Sequence, residues 1–429
     1  MHPILFRIPL PDMPLKLWWA LAAVAVIALV YAAASWKQGA NAAATTGLFA
    51  AFGAGVAGWL WRDTAWELEA LPIYSYGVML GLSLVVGWYL TLGLAEREFG
   101  AEYKETLANC YIVTAIAAIG VARLLYVVTN LDEFDSLADV FAMRRGGLVA
   151  YGGFLGGFLG SLLYLRANRL RLMPWADVAV PSLASGLLIT RIGCYMFGCD
   201  FGKPLSEDAP AWLQKLGTFP RWEEGTLAHG TGSPAWVQHV QERGLSIEAT
   251  ASLPVHPTQL YESAVGLGLL VLLLLMRRRQ IFRGQIFLVF TFAYGIARFA
   301  LEILRDDAER GVYGPALGAH VLLPLSLLAF AIAYSASFAR TIADKTLRTV
   351  TRLVAFVPAI GLFLALRPSS FAPATVIQLS TSQWVALTTG IAAAIAYAIF
   401  HKAAELHPES SMAVGLTLDG MPKKEAQGG

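Results

Sequence analysis

Four residues near the end of one apolar stretch, Tyr294, Arg298, Glu302 and Arg305, fall at offsets of 0, 4, 8 and 11. At about 100° per residue they project from a single helical stripe roughly 80° wide. Ionisable side chains are expensive in hydrocarbon, so such a face looks into a helix bundle and marks either function or a fixed partner. The plain account is an Arg298–Glu302 pair at i, i+4 that locks two helices. What argues past it is charge on other apolar stretches. Arg123 sits in Val121-Ala122-Arg123-Leu124-Leu125-Tyr126, and Asp177 and Arg191 lie 14 residues apart in a third stretch. That separation is about 21 Å along a helix, too far for direct neutralisation. Arg191 therefore needs another anion: a backbone carbonyl, Glu302, or a lipid phosphate, which a guanidinium holds with paired donors.

Three further groups are candidates for chemistry. Tyr151 stands in the glycine-rich run Gly146 to Gly157, where small residues four apart let a neighbouring backbone approach and leave space beside one large polar ring. His256 precedes Pro257 at the start of another apolar stretch; it is either a cap or a group that titrates near neutrality at a membrane face. Cys194 and Cys199 are five apart around Gly198, which is not zinc spacing, and they read best as small buried thiols. No metal site is expected.

Positioning these groups is the work of a membrane bundle. Of the 429 residues, 56% are hydrophobic and only 14% charged, against about 25% charged in an average soluble domain. Mean hydropathy is +0.56. A net charge of +2, dispersed along the chain, gives no reason to expect nucleic acid. About eleven apolar stretches approach the roughly 20 residues that a span needs: 17–35, 44–61, 71–94, 107–128, 146–165, 175–198, 259–276, 284–304, 316–335, 350–366 and 384–400. The predicted fold class is all-α, a polytopic helix bundle. Lys and Arg concentrate around Lys37, Arg97, Arg166 to Arg171, Arg277 to Arg283, Arg340 to Arg352 and the tail, which places those loops in the cytoplasm and the N-terminus outside. The polar segment from about 200 to 255 is then an outward head. The first stretch reads as an uncleaved span rather than a signal peptide.

Six pieces in chain order resemble the bacterial phosphatidylglycerol:prolipoprotein diacylglyceryl transferase family. They are Tyr74-Ser75-Tyr76-Gly77-Val78-Met79; Ala122-Arg123-Leu124-Leu125-Tyr126-Val127; Gly146-Gly147-Leu148 with Tyr151-Gly152-Gly153; Asp177 with Arg191-Ile192-Gly193; His256-Pro257-Thr258-Gln259-Leu260-Tyr261-Glu262; and Tyr294-Gly295 with Arg298-Phe299, Glu302 and Arg305-Asp306. The resemblance covers roughly Leu71 to Ser335. Tyr151 stands where the family's Gly-Gly-x-x-x-His-Gly-Gly signature has histidine, and Cys194 where its Arg-x-Gly-Asn-Phe signature has asparagine. The division this implies is extra N-terminal spans over 1–70, a transferase-like core over 71–335 with its head at about 200–255, extra spans over 336–400, and a cytoplasmic tail over 401–429.

The resemblance implies transfer of the diacylglyceryl group of phosphatidylglycerol to the lipobox cysteine thiol of an exported prolipoprotein, releasing glycerol phosphate. It places the enzyme in the bacterial inner membrane with its site toward the outer side, and calls for no cofactor. Catalytic roles fall to Tyr151, Arg191, Arg298 and His256; substrate binding falls to Arg123, Tyr294, Glu302, Arg305, Asp177 and Tyr76. Arg191 and Arg298, with Arg123, hold the phosphate, and Glu302 orients Arg298. A neutral phenol at Tyr151 donates a hydrogen bond, leaving His256 as the better base. Two other readings compete: a paralogous lipid-group transferase with a different acceptor, and a membrane transporter.

Overall fold

The structure is a computed structural model that describes residues 3–9, 15–37, 41–60, 62, 65–66, 70–134, 147–222, 232–306, 311–368 and 375–407. Gly146, part of the expected head at 223–231 and the tail from 408 lie outside the described residues. Thirteen α-helices carry the described chain, and each of the eleven apolar stretches falls on one of them. In order the long ones are α1 (Leu17–Lys37), α2 (Asn41–Leu60), α3 (Ser75–Phe99), α4 (Lys104–Thr129), α5 (Ala150–Ala167) and α6 (Leu172–Phe197). Two short helices follow, α7 (Ala211–Leu216) and α8 (Pro234–Glu242), and then α9 (Thr258–Arg277), α10 (Gln285–Glu302), α11 (Ala319–Ala336), α12 (Lys345–Leu366) and α13 (Thr381–Leu406). Nine of these are long and apolar enough to cross a membrane. Of the other two, α2 is a 20-residue apolar helix of which 47–59 has described side chains, and α5 is diluted by its glycines and Arg166.

The chain divides into two compact units. The smaller, residues 4–75, pairs α1 with α2 and adds two short antiparallel ladders, β1 (Ile4–Pro9) with β4 (Ala70–Tyr74) and β2 (Leu15–Lys16) with β3 (Ala65–Trp66). These strands are absent from the sequence reading, which follows apolar runs and has no signal for pairing across 60 residues.

In the larger unit, α4 lies against α5, α6 against α9, and α10 against both α9 and α13. A Cβ at Gly152 would stand 2.7 Å from the Ala122 Cα, so the glycine spacing on α5 does serve close packing on α4. One buried apolar cluster joins α6, α9, α10, α11 and α13 around Leu273, Ile286, Phe299 and Phe330. After α10 the chain enters the hairpin α11–α12 through β5 (Val312–Gly318) and returns through β6 (Val376–Ser380), and the two strands form an antiparallel ladder in which Val312 faces Ser380. That ladder sets α13 beside α10. Between α6 and α9, residues Phe201, Phe219, Ala235 and Val255 bury a small core of their own, with Tyr195 packed on it.

Candidate active site

Two close helix contacts bring the charges together. On α9, a Cβ at Gly266 would lie 2.6 Å from the Leu188 backbone nitrogen and 3.0 Å from the Ala184 oxygen, so glycine permits α9 to approach α6 at backbone distance. Ser263 then bonds the Leu188 carbonyl at 2.8 Å. One turn away, Glu262 meets Arg191 of α6. On the opposite side, Gly295 of α10 faces the Ala386 oxygen of α13, 3.0 Å from where a Cβ would be. That approach sets the start of α13 beside Arg298.

The centre of the site is Glu262, only 4% exposed. It receives a two-point bond from Arg191, Nε to Oε2 at 2.9 Å and Nη2 to Oε1 at 3.2 Å. Arg298 Nη1 reaches Oε2 at 3.4 Å, and the Tyr294 hydroxyl donates to Oε1 at 3.2 Å. Arg298 also pairs with Glu302 at 3.0 Å, the i, i+4 contact expected on α10. Arg191 Nη1 lies 2.5 Å from Asp200, whose other oxygen takes Arg305. Three arginines and three carboxylates thus form one network. Finally, the Tyr151 hydroxyl donates to Ser382 Oγ at 2.9 Å, and Arg298 Nη2 donates to the same oxygen at 3.2 Å.

Asp200 sits at the junction of helix and head. Burial alone would raise its carboxyl pKa, but Arg191, Arg305 and Arg298 together hold it well below the usual carboxylate range. Its backbone oxygen accepts from Thr258 at 2.5 Å, and Gln259 donates to the Cys199 carbonyl at 2.5 Å. The head is further pinned to the end of α10 by the Lys203 amide, which bonds the Leu304 carbonyl at 2.7 Å, and by the Arg243–Asp306 pair.

The thiols of Cys194 and Cys199 join this corner. Arg191 Nη1 stands 3.7 Å from Cys194 Sγ, and Cys199 Sγ is 3.8 Å from the Cys194 carbonyl. Its bond to the Cys194 thiol and its burial push the Cys199 thiol well above the ordinary range. With Asp200 they form the one group of three metal-capable side chains found among the described residues, with ligand atoms within 4.8 Å. Arg191 and Arg305, both bonded to Asp200, oppose a cation there.

Of the ten residues singled out from sequence, six belong to this network: Tyr151, Arg191, Tyr294, Arg298, Glu302 and Arg305. Tyr76, on the first turn of α3, has its backbone 3.3 Å from where a Gly193 Cβ would be and lies within electrostatic reach of Arg191 and Asp200. The other three sit elsewhere. Arg123 donates to the Gly147 carbonyl at 3.0 Å and lies over the rings of Tyr126 and Phe134, between α4 and the chain entering α5. Asp177, at the far end of α6, accepts from Gln280 and from the Gly284 and Phe287 amides, and so caps α10. The His256 ring bonds the Tyr261 hydroxyl at 3.3 Å rather than any member of the network.

With that geometry, comparison with known proteins is decisive. A family model described as prolipoprotein diacylglyceryl transferase matches residues 63–400. The chain belongs to that family. It is 28% identical over 252 residues to a phosphatidylglycerol–prolipoprotein diacylglyceryl transferase of Clostridium tetani, covering 58% of this chain and 88% of that protein. A second such enzyme of Clostridium perfringens is 29% identical over 248 residues, covering 57% and 84%. One of Clostridioides difficile is 27% identical over 271 residues, covering 63% and 93%. The chain is a multi-pass membrane transferase of this family.

The family match extends past α11 to take in α12 and α13, and α13 carries Ser382 into the network. In the sequence α13 falls within the extra spans expected over 336–400, and hydrophobicity, its only cue there, gives no signal for Ser382. Sequence reasoning also missed Glu262 as the partner of Arg191, although a glutamate inside an apolar stretch is itself a signal. Asp200 lies just beyond a span and gave none.

Proposed function

We propose that this protein moves the diacylglyceryl group of phosphatidylglycerol onto the lipobox cysteine of an exported prolipoprotein. The thiol loses its proton, its sulfur bonds the glycerol carbon, and the carbon–oxygen bond to phosphate breaks. Glycerol phosphate leaves with the bonding pair, and the thiol proton passes to the departing phosphate or to water. The observation that carries the reading is the membrane-embedded network of Arg191, Arg298 and Arg305 in a chain of this family.

Three physical features support it. A guanidinium has five N–H donors; Arg298 hydrogen-bonds Glu262 and Ser382 and pairs by charge with Glu302, whose nearer oxygen accepts no hydrogen bond among the described residues. Further N–H groups remain for a phosphate oxygen. The three carboxylates cancel the three arginines, which makes the network stable in low dielectric. Donors aimed where phosphate charge grows then stabilise the transition state more than the bound lipid. The arginines also favour a thiolate over a thiol of reference pKa about 8.5, which eases the need for a strong base. The basic loops opposite the head support a site on the outer side of the bacterial inner membrane, where exported precursors emerge. Tyr151, Arg191 and Arg298 act on the phosphate; Glu262, Tyr294 and Glu302 hold the arginines in position.

The test is incubation of membranes with phosphatidylglycerol and a cysteine-bearing lipobox peptide, read by mass. A diacylglyceryl increment on the peptide is expected. An unmodified peptide, with the protein folded and lipid present, rejects the reading.

A further inference from the structure

The hydrogen-bond count around Ser382 does not close. Arg298 can only donate, so its Nη2 occupies a lone pair on Ser382 Oγ. Tyr151 and Ser382 together own two hydroxyl protons and share one bond at 2.9 Å. Whichever of them donates, one O–H proton is left over. Neither hydroxyl has another acceptor among the described residues.

The position of Ser382 is fixed from both sides. Ser380 caps α13 through a reciprocal pair with Gln383: its Oγ accepts from the Gln383 amide at 3.2 Å, and its own amide donates to Gln383 Oε1 at 3.0 Å. The Thr381 amide bonds the Gly311 carbonyl at 2.9 Å. Ser382 is therefore held on the first turn of a helix locked to the β5–β6 ladder and packed on α10. An entire span returns to the bundle with this hydroxyl at its leading end.

We infer that Ser382 is a further phosphate-binding residue: paired with Tyr151, it presents one O–H beside the uncommitted N–H groups of Arg298 to an oxygen of the substrate phosphate. The inference rests on the reaction proposed above. As the carbon–oxygen bond breaks, the phosphate passes from a singly charged diester to a monoester carrying the extra charge. A donor on its oxygens therefore acts more on kcat than on KM.

The experiment measures transfer to a lipobox peptide by the purified protein in phosphatidylglycerol vesicles, for Ser382→Ala, Ser382→Thr, Tyr151→Phe and the Tyr151→Phe/Ser382→Ala double variant. Loss of one hydrogen bond to a charged group predicts a kcat about 10- to 30-fold lower for Ser382→Ala, with KM within about threefold. Threonine keeps the hydroxyl and recovers most of the rate. The double variant falls little below either single one, because both changes remove the same proton chain. A Ser382→Ala rate within about twofold of the parent overturns the inference, as does a Ser382→Thr rate as low as that of alanine. If the parent protein makes no product, the proposed reaction fails instead. Retention of glycerol phosphate, the monoester that carries the extra charge, in native mass spectrometry then decides the phosphate contact: about tenfold weaker binding by Ser382→Ala upholds it, and equal binding rejects it.

Discussion

Helices α6, α9 and α10 carry buried acids among arginines at both ends, and the two ends are built differently. At one end Asp177 accepts from the Gly284 amide at 2.5 Å, the Phe287 amide at 3.0 Å and Gln280 at 2.5 Å. Nearby, Glu98 of α3 takes Arg277 and Arg283, and Arg277 also donates to the Asp177 carbonyl at 2.8 Å. Backbone groups hold this carboxylate, so moving it means unwinding the first turn of α10. At the other end, the bonds of Glu262, Asp200 and Glu302 to Arg191, Arg298 and Arg305 run between side chains, and donors are left over. Such a network can shift by rotamer changes when an anion arrives, with the helices unmoved. A buried charge thus reads as scaffold where the backbone holds it and as a receptor where side chains hold it with donors in surplus.

The sharpest way to break this contrast is to remove a cation from the side-chain network. Arg191→Ala and Arg298→Ala are each expected to lower transfer per folded molecule by about 100-fold or more, the scale on which loss of one preorganised donor is felt. Lysine at either position recovers little, since one ammonium cannot reproduce a planar fork that bonds two or three groups at once. The peptide mass assay, normalised to folded protein, measures both. Near-parental rates in the alanine variants break the contrast outright.

Glu262→Gln probes the same network more gently. The amide keeps the shape and loses the charge that fixes Arg191, Arg298 and Tyr294. A kcat about tenfold lower is expected, with KM for phosphatidylglycerol unchanged or reduced, because the network then carries a net positive charge that favours an anion. A raised KM with unchanged kcat indicates that Glu262 serves lipid binding alone.

Asp177→Ala addresses the other end. Two helix-capping amides and a half-buried glutamine lose their acceptor, which costs about 2–3 kcal/mol of stability. Lower thermal stability in detergent is expected, while kcat per folded molecule stays within about twofold of the parent. A large kcat loss at parental stability returns Asp177 to the substrate-binding role suggested by sequence.

Much of this was legible in the sequence. Hydrophobic runs located eleven helices, and the spacing of Tyr294, Arg298, Glu302 and Arg305 put four side chains of the network on one face, where the structure places them. Charge inside an apolar stretch located Arg191, and a large polar ring among glycines located Tyr151. What was not legible was pairing at a distance. Arg191 found Glu262, 71 residues away, and Tyr151 found Ser382, 231 residues away. Periodicity reports which face is polar and stays silent on which helix faces it. Asp177 shows the converse, a charge in an apolar stretch that looks functional until its amide partners are seen.

The smallest expected effect concerns His256, and it bears on whether the open network contains a base that titrates near neutrality. From its type alone, His256→Ala should erase an activity step between about pH 6 and 7. The structure points elsewhere. The ring bonds Tyr261, and the backbone on either side is held by Gly202 and Lys203 at 3.0 and 2.9 Å. Burial lowers the imidazole pKa, and Lys203 lowers it further. A depressed value means that the folded protein keeps the ring neutral through pH 6.5 to 8 and protonates it only further down. The unfolded chain takes up that proton first as the pH falls, so the histidine subtracts stability below about 6.5 and leaves the neutral range untouched. His256→Ala should accordingly keep kcat/KM within about threefold of the parent, with profiles of the same shape above pH 6.5. Its thermal stability should fall less on acidification. A step between pH 6 and 7 that is present in the parent and absent from the variant would return the base to His256, and the network of arginines and carboxylates would then need a titrating partner outside its own bonds.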